Sequence, residues 1–364
     1  MDAVEGRREL LGVQVAPWRP AREVLAACEV LARGFQVVWV QDQMLARNVY
    51  VLLAAVAASG RVGLGTNVTF PAGRNPVEMA AALGTIAEIL PPDRPLLVGM
   101  GTGGALANSL FPRDQPVARV REAIGLMRRL WAGDAVRVDE YPLLCGAGGF
   151  RAGTVAKLTF PVERELPILL AGIGPLILRT AGALADGIIS ASNFPTHSYA
   201  AFRSGAFAAV SGLDAVAAGR AGRGGQFRML YGLNCCISRD RDRAKLFARR
   251  QLALVAGNPQ LWPGLEAVGL DVDSAREVKA AFDGGEGIEG AVGRLSDTLL
   301  DGLIVSGAPD DCLPRLDELR RLARSGGYRE FYIGAPLGPD IGEAAKLLVD
   351  VVVPELWPEE VVST

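Results

Sequence analysis

At 364 residues, half of them apolar, the chain can bury a large core without disulfide or metal staples. Its 38 basic residues against 40 acidic ones give a net charge of −2, which excludes the basic surplus of a nucleic-acid-binding surface. Apolar runs such as VYVLLAAVAA stop at about ten residues, too short to span a bilayer, and the MDAVEGRREL start lacks the apolar stretch of a secretory signal.

Strand and helix patterns alternate from the start. LLGVQVA (10–16) reads as a first strand, and AREVLAACEVLAR (21–33) has helical spacing that stops at Gly34. FQVVWVQ (35–41) is a second strand with a helix over 48–58, and RVGLGTNV (61–68) a third. Pro76 suits the first turn of a helix running to Leu90. PLLVGMG (95–101) is a fourth strand, followed by an amphipathic helix over 117–133. The stretch 134–165, rich in Gly, Pro and scattered charge, breaks the rhythm and reads as an insertion. Strands then resume at 166–172 and 186–192, the second with a helix over 198–210 behind it, and again at 227–238. A long helical region covers 240–300, another helix 310–324, an eighth strand 328–336 and a closing helix 343–356. Eight strands with intervening helices predict a (β/α)8 barrel, an α/β TIM barrel, as one domain over 1–364 with insertions at 134–165 and 240–300. The alternative is a doubly wound sheet, and LIVSG (303–307) is the candidate ninth strand.

None of the five cysteines (Cys28, Cys145, Cys235, Cys236, Cys312) falls in a C-x-x-C pair, and His197 is the single histidine. No metal site is expected from that inventory, nor a His-based triad. The cysteines read as buried thiols of a reducing cytoplasm, with Cys235 and Cys236 on opposite faces of their strand.

GMGTGG (99–104) matches G-x-G-x-x-G after a strand. A dinucleotide fingerprint needs a helix at once and an acidic residue about 20 residues on, at the next strand end. Here LANSLFPRDQP intervenes and Glu122 falls inside a helix. The stretch reads instead as a glycine-lined strand end that lets a flat ring approach the backbone. AGIGPLILRTAG (171–182) is a strand end, a Gly-Ile-Gly turn and a helix with Pro175 at its first position. Backbone N–H groups there face outward at the positive helix end, an anion site without a charged side chain, to which Arg179 adds a cation. An ordinary tight turn is the alternative.

Asp42 and Gln43 end the second strand, placed to contact a ring or substrate; Asp42 alternatively caps the next helix. Thr66, Asn67 and Thr69 are three hydrogen-bonding side chains where the third strand ends. Strand interiors avoid Asn, so Asn67 points to a ligand contact or a special backbone geometry. Arg74 either binds an anionic tail or is solvated, and Trp39 reads as core.

Taken together, GFQVVWVQD, VGLGTNVTFPAGRNPVEMAAALGTIAEI, LLVGMGTGG, REAIGLMRRLWAGD, PILLAGIGPLILRTAG and ADGII resemble the bacterial luciferase-like superfamily of flavin- and deazaflavin-dependent oxidoreductases. The resemblance implies a (β/α)8 barrel with a tricyclic ring at its mouth, Thr66, Asn67 and Val68 beside the ring and Gly101, Thr102 and Gly103 along its other edge. It implies a phosphate held by Gly172, Ile173 and Gly174, with Arg179 near, and Asp42 and Gln43 as catalytic residues on the substrate side. Members often carry a non-prolyl cis peptide at the end of strand three, which by position falls at Asn67–Val68. GTNVTFPAGRNP is closer to the branch using coenzyme F420, a deazaflavin that transfers hydride to a carbonyl, imine or activated alkene. An FMN-dependent monooxygenase on the same fold and a cofactor-less scaffold barrel are the rivals. The implied partners are a small-molecule substrate and a second copy in a homodimer, in the cytoplasm. By the same resemblance three positions depart from the pattern: Gln43 where many deazaflavin relatives have His, Asn75 where His is frequent, and Leu176 where a cation is frequent. Gln cannot act as a general acid near neutral pH.

Overall fold

Continuous apolar runs such as LGVQV and VVWV are what strands buried on both faces require, and here they close into a ring. The computed structural model describes residues 10–104, 110–148, 150, 151 and 153–358. In chain order the strands are β1 (Leu11–Val15), β2 (Val37–Val40), β3 (Gly63–Thr69) and β4 (Leu96–Met100), then a short hairpin of β5 (Val136–Arg137) and β6 (Val155–Ala156). β7 (Ile168–Ala171), β8 (Gly187–Ala191), β9 (Arg228–Ile237), β10 (Val305–Gly307) and β11 (Glu330–Leu337) follow. The order β1-β2-β3-β4-β7-β8-β9-β11 is parallel throughout, and β11 returns to β1 with Leu11 opposite Phe331. The ring is therefore the eight-stranded TIM barrel expected, not an open sheet.

LIVSG does form a strand, but outside the closure. β9 is long: its first half pairs with β8, while Cys235–Ile237 at its far end pair with β10. The expected helix over 198–210 is two short ones, Tyr199–Arg203 and Phe207–Val210, divided where Gly205 adopts φ 74°. The region 240–300 holds the helices Arg241–Ala256, Trp262–Ala267, Val272–Asp283, Gly287–Arg294 and Asp297–Leu303, which share an apolar cluster of their own. Cys235 packs in the layer between strands and helices, whereas Cys236 belongs to that second cluster, as opposite strand faces require. Four cysteines are buried; Cys145 is half-buried.

The barrel interior explains where a ligand can sit. Trp39 crosses it, and neighbouring strands make room with glycine: a Cβ on Gly12 or Gly65 would lie 2.5 or 2.3 Å from the indole. Tyr332 lies 6.4 Å away from Trp39, centroid to centroid, and a Cβ on Gly232 would meet its ring. These rings, with Val37, Leu97, Leu169 and Leu230, form a solid floor. Side chains an even number of residues further along each strand face the same way, so the layer above the floor is Gln14, Gln41, Asn67, Gly101, Ala171, Ala191, Asn234 and Gly334. That layer is the mouth at the C-terminal strand ends, where barrels of this kind bind their ligands. At the opposite end, Asp186 of ADGII accepts from Arg128 at 2.7 and 2.8 Å and from Ile168 N at 2.8 Å, pinning the starts of β7 and β8. No helix among the described residues is long and apolar enough to cross a membrane.

Candidate active site

Two residues beyond the end of β2 stands Asp42, whose side chain is fully buried. Arg74 donates Nε to Oδ2 and Nη2 to Oδ1, both at 2.6 Å, and Thr69 Oγ1 donates to Oδ2 at 2.8 Å. Tyr50 OH lies 3.0 Å from Thr69 Oγ1, and the Arg74 guanidinium stands 5.1 Å from the Tyr50 ring centre. The hydrogen bonds to Asp42 raise the Arg74 pKa, and burial raises that of the Tyr50 phenol. Asp42 thus ties the end of β2 to the end of β3 and to the loop after it. The next helix, Val49–Ala57, is capped by Asn48, whose Oδ1 accepts from Tyr50 N and Val51 N; capping is not the work of Asp42. Arg74 is neither solvated nor available as a bidentate clamp, because its fork is committed to Asp42.

At the end of β3 the peptide Asn67–Val68 is cis, where the family resemblance put it. Pairing with β4 slips there, between Thr66 and Thr69. A Cβ on Gly99 would lie 2.1 Å from Thr66 O, so only glycine allows this approach. Thr66 is fully buried and its Oγ1 donates to Gly99 O at 2.8 Å. Its hydroxyl fastens β3 to β4. Asn67 does face inward. It is buried, and its Nδ2 makes no hydrogen bond of good geometry, although the Tyr332 hydroxyl lies against it. Burial pushes the Tyr332 phenol up to about 12, keeping it neutral.

Gly101 N donates to Thr69 O at 2.9 Å. A Cβ on Gly101 would stand 3.1 Å from Val68 Cγ2 and 3.3 Å from Ala171 O, so the ends of β3, β4 and β7 converge on this glycine. Gly103 takes φ 95°, and Thr102 borders a small recess with Pro71, Ala72 and Phe111. Beyond Ala171, the turn Gly172–Gly174 leads into the helix Pro175–Leu184 with Pro175 at N1 and no side-chain cap. A Cβ on Gly172 would strike Ile177 at 2.4 Å, whereas Gly174 has open space. Leu176 and Arg179 are exposed at the first turns of this helix. Asn75 caps the helix Pro76–Ile89, its Oδ1 accepting from Val77 N at 2.9 Å. Glu122 accepts from Leu143 N and Leu144 N, a structural task unrelated to a ribose.

Sequence reasoning missed the three other amides of the inward layer, Gln14, Gln41 and Asn234. Gln14 donates Nε2 to Asn67 O at 3.1 Å and accepts from Ala335 N at 3.1 Å and from Gln41 Nε2 at 3.0 Å. Asn234 donates to Ala335 O at 2.6 Å, and its N–H is held by Ser192 Oγ at 2.9 Å. The rule that flagged Asn67, amides avoiding strand interiors, applies equally to Asn234. His197 is away from the mouth. It is buried edge-on to Phe207 and Tyr328, with its carbonyl accepting from Tyr231 OH.

The sequence profile of luciferase-like monooxygenases matches residues 5–326. The chain belongs to this family. Among curated members, the 5,10-methylenetetrahydromethanopterin reductase of Archaeoglobus fulgidus is 30% identical, covering 89% of this chain and 92% of that one. The F420-dependent glucose-6-phosphate dehydrogenase of Intrasporangium calvum is 37% identical, but over only 41% of this chain and 44% of its own length. In fold, the luciferase-like chain superposes on the coenzyme F420-dependent tetrahydromethanopterin reductase of Methanopyrus kandleri with a TM-score of 0.76, covering 96% and 100% of the two chains at 21% identity.

Proposed function

We propose that this luciferase-like protein is an F420-dependent oxidoreductase that reduces an imine carbon, as a methylenetetrahydropterin reductase does. One observation carries the reading: the inward strand-end layer contains amides and small residues and no ionisable side chain. The carboxylate beside it, Asp42, is committed to Arg74 and Thr69. Reducing a ketone needs an acid at the oxygen, and oxidising an alcohol needs a base. An iminium carbon accepts hydride without a proton and becomes a neutral amine; a neutral imine, or a methylene bridging two nitrogens, first takes one proton from water to become that iminium, with the C–N bond to the protonated nitrogen breaking in the bridged case. Amide oxygens suit the cation that is lost. A sugar phosphate would call for free cations that this layer lacks. The near full-length likeness to a methylenetetrahydromethanopterin reductase agrees.

The residues fit a flat deazaflavin with a phosphate tail. Gly101 keeps clear the space where Val68 and Ala171 converge, and one strand further on the helix at Gly174 opens without a cap. In this reading Asn67 and Val68 bed the ring, Gly101, Thr102 and Gly103 edge it, and Gly172, Ile173 and Gly174 hold the phosphate through backbone N–H groups. Arg179 adds a cation beside it. When bound, the reduced deazaflavin supplies the hydride. Asp42 acts by holding the mouth in shape, and Gln43 faces the substrate. The reading carries with it a cytoplasmic homodimer, which sedimentation equilibrium tests.

Anaerobic mixing with reduced F420 and methylenetetrahydromethanopterin, followed by deazaflavin absorbance, should give turnover. Oxidised F420 with a secondary alcohol or glucose 6-phosphate should give none. Turnover only with those, or oxygen uptake with reduced FMN, overturns the proposal.

A further inference from the structure

Three glutamines on two neighbouring strand ends form a chain whose direction is set by the backbone. Gln14 lies between Asn67 O and Ala335 N, 3.1 Å from each. A carbonyl only accepts and an amide N–H only donates, so Gln14 must turn Nε2 to Asn67 and Oε1 to Ala335. No flip of its amide satisfies both. The atom of Gln41 that lies 3.0 Å from Gln14 Oε1 must then be a donor, Nε2, which turns Gln41 Oε1 outward. That oxygen receives Gln43 Nε2 at 3.4 Å. Gln43 Oε1 is left as the free end, and among the described residues nothing donates to it. Gln14 is buried while Gln41 and Gln43 are half-buried, so the chain runs from the barrel interior out to the mouth.

We propose that this relay makes Gln43 the specificity-determining residue for the substrate's reacting nitrogen. Gln14 and Gln41 are positioning residues that present Gln43 to the substrate as an acceptor oxygen. The partner it selects is an N–H or iminium centre. A carbonyl oxygen or an alkoxide would meet a lone pair instead. This rests on the imine reading above and adds to it the residue that does the selecting and the reason its amide cannot turn.

The test combines kinetics with a signal that needs no turnover. In the imine assay, Gln43→Met should lower kcat/KM by about 10- to 100-fold, the worth of one hydrogen bond to a charged group. F420 affinity, read by fluorescence titration, should stay within about twofold. Gln41→Leu leaves Gln43 in place but frees its amide, and should lower kcat/KM by several-fold. The double variant should fall no lower than Gln43→Met alone, because both substitutions break one device. Equal loss of F420 affinity in each variant, or a double variant losing the product of the two single effects, overturns the inference. Independently, with glutamine side chains labelled with nitrogen-15, Gln41→Leu should move the Gln43 amide signals. If the wild type fails to reduce the imine but the Gln43 signals move, the imine reading fails and the relay stands. If they do not move, the relay is refuted whatever the substrate.

Discussion

Removing Arg74 tests whether Asp42 is a structural anchor. The perturbation is Arg74→Met, which keeps the length and apolar stem over Tyr50 but deletes both 2.6 Å hydrogen bonds. Asp42 would then keep only Thr69, with its side chain fully shut off from water. Leaving one member of a buried ion pair behind costs about 3–5 kcal/mol. The Arg74 side chain is 17% exposed, which places this pair at the low end, about 3 kcal/mol. For 364 residues an unfolding entropy of about 2 cal/mol/K per residue converts that into a fall in Tm of about 4 °C. Asp42→Leu should cost about 2 kcal/mol, because the freed guanidinium can turn toward solvent.

The decisive variant is the pair Asp42→Leu with Arg74→Met. Replacing both charges by apolar groups of similar volume removes the desolvation of each, so the double variant should lose about 1 kcal/mol or less. Urea unfolding of the four proteins gives the cycle, with an unchanged m-value as the check that only stability moved. A double variant as unstable as the two single changes added together would refute the coupling. So would an Arg74→Met protein within about 0.5 kcal/mol of the wild type, the scatter of an ordinary surface substitution.

Two glycines two residues apart should behave differently. Gly172→Ala drives a methyl into Ile177 and should cost about 1–3 kcal/mol as well as weaken F420 binding; Gly174→Ala, at φ −81° with open space, should leave Tm within about 1 °C and weaken F420 binding alone. Differential scanning fluorimetry and fluorescence titration separate the two, and equal effects at both positions would remove the phosphate assignment. His197 is neutral in the fold, its pKa lowered by burial to about 4. Since the unfolded chain takes up that proton near the ordinary histidine value of 6.5, stability should fall as pH drops through the window between 6.5 and about 4. Below the folded pKa no further loss comes from this group, and the total is on the order of 3 kcal/mol. As the chain's one histidine, its ring protons need no assignment; a midpoint near 6.5 in the folded protein contradicts this, and His197→Phe should flatten that part of the stability profile.

The eight barrel strands were legible because each is an apolar run ended by small or polar residues, a local property. β10 was ambiguous for the same reason: VSG has the composition of a barrel strand, and only pairing places it outside. The mouth was half legible. Asn67 and the turn at Gly172–Gly174 announce themselves through residue type within a few positions. The Gln14–Gln41–Asn67 contacts do not, since they join residues 27 and 53 apart that meet only when the ring closes. The fate of Asp42 was hidden likewise: its partner Arg74 lies 32 residues on, beyond a helix and a strand. The bond from the Thr66 hydroxyl to Gly99 O was hidden in the same way, since only the neighbouring strand supplies that carbonyl.

An amide at Gln43, with no free acid or base in the layer beside it, therefore has a kinetic signature. A site that works by acid or base shows a limb in kcat/KM at the pKa of that group in the free enzyme. Here the inward layer contains only amides, glycines and alanines; Asp42 is held in an ion pair, and Tyr332, raised to about 12, stays protonated. Among the described residues the inward layer carries no ionisable side chain, so kcat/KM for a preformed iminium should vary by less than about threefold between about pH 6 and pH 9. Replacing Gln43 by His should introduce a limb at about pH 6–7, near the ordinary histidine value. The assay is the initial rate with reduced F420 at subsaturating substrate, with cofactor affinity measured at each pH so that binding is divided out. A wild-type limb between pH 6 and 8 would mean that a proton donor acts at this mouth, and the amide layer would lose its claim to select an iminium.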